Sequence, residues 1–133
     1  MEITINMLLS ILTGIIAGIY SGIIVARMSR FEEIKHEIKR IILNIDFIYS
    51  SGKPKIIPRK DITELLLLSC DFCALKHPDS GEQTSILQKE IIDVLDSPPE
   101  KSEKMNELYS EWQNRCRNLK PTYRVIFSPK PWV

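Results

Sequence analysis

ITINMLLSILTGIIAGIYSGIIVA, residues 3–26, contains no charged side chain. At about 1.5 Å of rise per residue, a helix over this stretch is roughly 36 Å long. That length spans a hydrocarbon core of about 30 Å with some tilt. The stretch is therefore read as a membrane-spanning helix. A cleaved signal peptide is the rival. It would begin with a basic region and carry an apolar run of only about 7–15 residues. Here the start is Met1-Glu2, the apolar run is longer, and the basic residues Arg27, Arg30, Lys35, Lys39 and Arg40 all follow it. A retained anchor is expected. The basic flank places the C-terminal side in the cytoplasm and the N-terminus outside.

The anchor has a face. Ser10, Gly14, Gly18, Gly22 and Ala26 recur every four residues and fall on one helix stripe, widened by Thr13, Ala17 and Ser21. Between helices in lipid, close backbone approach over small residues drives association, because hydrophobic burial gains little there. The larger residues, Leu8, Ile11, Ile15, Ile19 and Ile23, lie toward the other side. Asn6 either bonds across an oligomer or sits at the water interface. Self-association through the stripe is the expectation.

Beyond the anchor, Phe31, Ile34, Ile38, Ile41, Ile45 and Ile48 alternate three and four apart, as the a and d positions of heptads do. Isoleucine at both positions favours three or four strands, so Ile34, Ile38, Ile41 and Ile45 are a candidate oligomer seam, with a tetramer as one outcome. The same spacing serves a helix packed on its own domain. Ile42, Leu43 and Phe47 support that reading in the second half. The first turns are expected to assemble and the later ones to join the core.

The expected organisation is an anchor over residues 1–28 and a cytosolic helical domain over 29–133, with a juxtamembrane helix over 29–49. Ser50 to Pro54 break that helix and a basic linker runs to Lys60. Asp61 and Glu64 form a capping box before a helix over 65–75. Residues 77–81 make a turn before a helix over 82–96. Ser97-Pro98-Pro99-Glu100 start a last helix that Pro121 ends, and 123–127 are a short strand. The fold class is mainly α: one transmembrane helix and a small helical domain.

Composition narrows the chemistry. Outside the anchor, eighteen basic residues stand against sixteen acidic, a charge near +2 that gives no ground for DNA binding. Three cysteines argue against a disulfide framework. Cys70, Cys73 and His77 have a spacing that brings them near one helix face, and Cys116 offers a fourth zinc ligand. Buried packing is the preferred reading, since cysteine behaves as a small hydrophobe. No metal or cofactor is expected. No Gly-rich phosphate loop, HExxH or GxSxG is present in the sequence, and no enzyme is expected.

Two basic groups remain. Lys53, Lys55, Arg59 and Lys60 suit lipid headgroups close to a membrane. Arg115, Arg117, Lys120, Tyr123 and Arg124, with Trp112 nearby, combine cations with aromatics, a pairing that holds phosphates and stacks bases. Cations near a helix C-terminus also favour its dipole without any ligand.

The Gly14/Gly18/Gly22 anchor, the Ile-rich juxtamembrane helix and the basic helical domain resemble, as a layout, the small membrane-bound ancillary effectors of type III CRISPR antiviral systems. That resemblance implies a protein of the bacterial inner membrane, with a soluble domain that binds a cyclic oligoadenylate as a homo-oligomer and thereby disrupts the bilayer. It assigns no individual residue. Two other classes stay open: a membrane-anchored adaptor for a protein partner, and a holin-like or toxin-like protein whose anchor acts alone.

Overall fold

The computed structural model describes residues 1–50, 53–58 and 61–130. The protein is mainly α. Helix α1 (Glu2–Leu43) leads into the strands β1 (Ile45–Ser50) and β2 (Lys53–Pro58), followed by α2 (Glu64–Ala74), α3 (Pro78–Asp96), α4 (Ser102–Arg117) and the short α5 (Tyr123–Ile126).

Helix α1 is unbroken for 42 residues and serves two environments. Every side chain from Met1 to Ile19 is exposed. Its apolar window is long and hydrophobic enough to cross a membrane, and none of that window is buried within the chain. From Phe31 onward the same helix supplies the core. Phe31, Ile38 and Ile42 are fully buried and Ile41 nearly so, joined by Leu65 and Phe72 of α2, Leu87 and Ile91 of α3, and Met105, Trp112 and Cys116 of α4. The helical domain is thus assembled around the second half of the long N-terminal helix.

This overturns the oligomer seam. Ile38 and Ile41 are at most 1% exposed, Ile45 is buried in β1, and Ile34 packs against the same cluster. One a/d spacing serves a coiled-coil seam and an intramolecular core equally well. The presence of three amphipathic helices in the same small chain decides for the core.

The juxtamembrane helix also ends early, at Leu43 rather than at residue 49. Ile45-Asp46-Phe47-Ile48-Tyr49 is β-branched or aromatic at four of five positions, which favours a pleated strand. It pairs antiparallel with β2, placing Phe47 opposite Ile56 and Asp46 opposite Ile57. Part of the expected basic linker is therefore a strand, with Lys55 exposed. Lys53 lies in β2, but its side chain, with Arg59 and Lys60, lies outside the described residues.

Three smaller expectations change. Asp61 accepts the Thr63 N–H at 2.9 Å, a bond that lowers the pKa of its carboxyl, and so acts two residues on instead of closing a capping box with Glu64. Helix α3 begins at Pro78, four residues before its expected start, because proline at the first helical position has no N–H to leave unpaired. Residues 123–126 form a helical turn, not a strand.

Helices α2 and α3 cross at Gly81. A Cβ there would lie 2.6 Å from Cys73 Sγ and 3.0 Å from the Ser69 carbonyl oxygen, while the Ser69 hydroxyl donates to the Gly81 carbonyl at 2.6 Å. Gly81→Ala is expected to lower stability by about 1–3 kcal/mol, the usual cost of overpacking. Adding Cys73→Ala should restore part of the loss in chemical denaturation. Full stability of the single variant would show that the crossing tolerates a methyl group.

Candidate functional site

At about 100° per residue, Tyr20, Ile23, Ile24, Arg27, Phe31, Ile34 and Ile38 share one face of α1. The lower part of this face packs into the domain core. The upper part carries the C-terminal segment. The Tyr20 hydroxyl donates to the Phe127 carbonyl at 2.6 Å. The Arg27 guanidinium donates to the carbonyls of Val125 (2.8 Å), Ile126 (3.3 Å), Ser128 (2.6 Å) and Lys130. These carbonyls include ones freed where α5 ends, so Arg27 acts as a helix C-cap from about a hundred residues away.

Gly14, Gly18, Gly22 and Ala26 lie roughly opposite that face. All are exposed, as is Ser10, and a Cβ added at any of the three glycines meets no atom within 4 Å. The Ser10 hydroxyl donates to the Asn6 carbonyl at 2.9 Å, so its polarity is satisfied within the helix. Ser29, Glu33 and Arg40 continue this open side below the apolar half, all of them exposed. Below the apolar half, the side of α1 left free for another molecule is therefore charged, and Ile34, Ile38 and Ile41 face the core.

Of the five residues singled out as a ligand group, Arg115 and Lys120 border one depression and Arg117 lines another cavity. Arg115 is held by Glu90 at 2.6 Å and Glu111 at 2.8 Å, and these carboxylates raise its pKa. Lys120 shares its depression with Arg115, Asp79, Ser80 and Gln83. Tyr123 stacks on Phe127, with ring centroids 6.4 Å apart and planes 22° apart, and Arg124 is exposed. Trp112, the proposed stacking partner, is 1% exposed, and its Nε1 has no hydrogen-bond partner among the described residues.

Arg117 belongs elsewhere. It lines a cavity of about 220 Å³ between α1 and α4, together with Lys35, His36, Lys39 and Gln113. Glu32 stands at this cavity as well, while Ile42, Leu43 and Cys116 supply apolar wall. Lys35 Nζ donates to the Leu119 carbonyl at 3.1 Å, which orients it without neutralising it. Burial pushes the Cys116 thiol up, against the opposing pull of Lys35 and Lys39. Sequence reasoning found Arg117 but not its partners. In the sequence Lys35 and Lys39 belong only to the basic flank of the apolar stretch, and α4 laid against α1 is what brings them and His36 to Arg117.

The cysteines and His77 do not form a metal group. Cys70 and Cys73 are exposed while Cys116 is buried on α4, and no cluster of three or more possible ligands occurs among the described residues. His77 is 2% exposed. Its Nδ1 accepts the Thr122 N–H at 3.0 Å, and its ring meets Phe31 edge-on with centroids 5.1 Å apart. It joins α1, the α2–α3 corner and the C-terminal segment.

Burial lowers the His77 pKa below its ordinary value of 6.5. The unfolded chain then binds the proton more readily than the folded one. His77 consequently contributes stability above about pH 6.5 that is lost as pH falls toward the folded pKa. Unfolding midpoints measured between pH 7.5 and 5 should fall with pH, and the fall should shrink in His77→Gln. An equal slope in both would assign the dependence to other groups.

No family model, no curated protein and no solved structure matches this chain.

Proposed function

We propose that the protein is a non-enzymatic, oligomeric membrane effector whose helical domain takes up a small phosphate-bearing ligand, of the cyclic oligonucleotide kind, and passes that event to the bilayer through α1. What supports this reading is the continuity of α1. The helix that carries the exposed apolar half also forms one wall of the basic cavity, with Asn44 capping it only after Lys39 and Arg40. A shift at Lys35 or Lys39 has no hinge in which to dissipate. The excess of basic residues after the apolar stretch supports a domain on the cytoplasmic side. A membrane-impermeant maleimide should then leave Cys70 and Cys73 unlabelled in intact cells.

The ligand reading is tested by calorimetry on the full chain in nanodiscs, titrated with cyclic oligoadenylates and cyclic dinucleotides. Lys39→Glu and Arg117→Glu should each weaken binding about tenfold or more, the value of one charge-assisted contact. No heat with any of these nucleotides would end the sensor reading. Oligomerisation is tested separately. Gly18→Leu on the open stripe should reduce the mass of the detergent-solubilised assembly, and an unchanged mass would remove the stripe as its packing surface.

A second reading, a membrane-anchored adaptor for a protein partner, is favoured by Leu66 and Leu67. These lie side by side on α2 at 47% and 65% exposure. Binding of a partner that Leu67→Glu abolishes, with no response to nucleotides, would select it.

A further inference from the structure

We infer that residues 121–130 form a second membrane contact, an interfacial patch that rests on the headgroups of anionic phospholipids beside α1. Depth is the first argument. Tyr20 lies seventeen residues beyond Ile3, about 26 Å along the helix at 1.5 Å per residue. A hydrocarbon core is about 30 Å thick. If α1 crosses a bilayer from Ile3, the Tyr20 hydroxyl lies close to the far boundary of that core. Its hydrogen bond to the Phe127 carbonyl fixes the C-terminal segment at the same level.

Backbone chemistry agrees with that depth. Irregular chain near hydrocarbon must have its carbonyls satisfied, because water is scarce there. Tyr20 takes the carbonyl of Phe127, and Arg27 takes those of Val125, Ile126, Ser128 and Lys130. Arg27 thereby spends its donors on the protein and holds the segment against the helix.

The outer surface is the third argument. Tyr123 and Phe127 stack on each other and remain 53% and 52% exposed. Aromatic rings of this kind are enriched at the level of lipid headgroups. Residues 121–130 include Arg124 and Lys130 and no acidic residue, and Arg30 is exposed one turn below Arg27. Cations close to a membrane surface are attracted to anionic lipid by about 1 kcal/mol each. The patch is continuous with the exposed apolar surface of α1, so the bilayer that takes one also meets the other. Docking would hold the domain down on the membrane at two points and prevent it from swinging about a single helix.

The test uses the full chain in vesicles of phosphatidylethanolamine and phosphatidylglycerol, with a benzophenone amino acid placed singly at positions 12, 103, 123 or 127. Position 12 reports insertion of α1 and Glu103, exposed at the start of α4, reports the far end of the domain. Photolysis should give lipid adducts at 12, 123 and 127 and none at 103. Adding Arg124→Glu with Lys130→Glu should lower the yield at 123 and 127 several-fold and leave 12 unchanged. Adducts that join two protein chains at 123 and 127 would overturn the inference, since a second copy would then cover the patch. So would labelling at 12 without labelling at 123 and 127, or equal labelling at 103. A failure at 12 itself would refute the membrane crossing on which the inference stands. The outcome does not depend on nucleotide binding or on oligomer number.

Discussion

Phe31→Ala is expected to uncouple the domain from its anchor, at a cost of about 3–5 kcal/mol, the usual price of emptying a buried phenylalanine site. Phe31 is fully buried. Its ring centroid is 5.0 Å from that of Phe72 on α2 and 5.1 Å from the His77 ring. It is the first residue along α1 to be buried, so one substitution removes the contact where anchor becomes core. The cysteines give the readout. Cys70 and Cys73 are exposed and should react with a thiol reagent at once, whereas Cys116 is buried and reacts only when the domain opens. At about 1.4 kcal/mol per tenfold, the slow phase should accelerate by between about a hundredfold and a few thousandfold in Phe31→Ala. An unaltered slow phase would mean that the α1–α2 contact contributes little to domain stability.

The same variant separates anchoring from transmission. Its apolar half is untouched, so membrane retention should persist while any response of the bilayer to the domain is lost. A holin-like or toxin-like protein whose anchor acts alone would keep its effect in this variant. An effector driven by its domain would not.

How much of this was legible in the sequence depends on where the deciding contacts lie. The apolar half of α1 is legible as one long helix because an uncharged run of that length reads as such without any partner, and the structure shows that helix. The last helix was read within a few residues because Met105, Trp112 and Cys116 repeat at helical spacing and are its buried face. The helix–strand boundary at Asn44 was missed. Ile41, Ile45 and Ile48 continue the three–four spacing past the point where the backbone extends, and the partner that makes residues 45–50 a strand lies in β2. Residues 123–127 have strand-forming side chains, yet Arg27 accepts the role of capping their carbonyls in helical form, from a position that no local pattern indicates. His77 was weighed as a metal ligand on the strength of Cys70 and Cys73. Its Nδ1 bond to the Thr122 N–H follows from the way the chain end folds back, which spacing alone does not carry. The basic residues near the C-terminus divide for a related reason: Arg115 pairs with Glu90 and borders a depression with Lys120, while Arg117 lines the α1 cavity.

Arg27→Leu is expected to release the C-terminal segment while leaving the domain core folded. The substitution lengthens the apolar run and so should not weaken insertion, but it leaves the carbonyls of Val125, Ile126, Ser128 and Lys130 without their donor. Hydrogen bonds from a charged donor are worth about 1.5–3 kcal/mol each where buried, and the partial exposure of this site discounts the total to about 2–3 kcal/mol. In nanodiscs, where protease reaches both sides, trypsin cleavage after Arg124 should accelerate by about thirty- to a hundredfold. Tyr20→Phe removes only the bond to the Phe127 carbonyl and should give a smaller rise, about fivefold. Arg27→Lys should fall between, because an ammonium is a point charge and cannot reach four carbonyls with a planar fork. The slow labelling of Cys116 should be the same in all three variants, in contrast to Phe31→Ala, because α4 is packed on α1 below this level. Faster Cys116 labelling in Arg27→Leu would instead make the clamp a part of the global fold, and an unchanged cleavage rate would show that the segment is held by something other than Arg27.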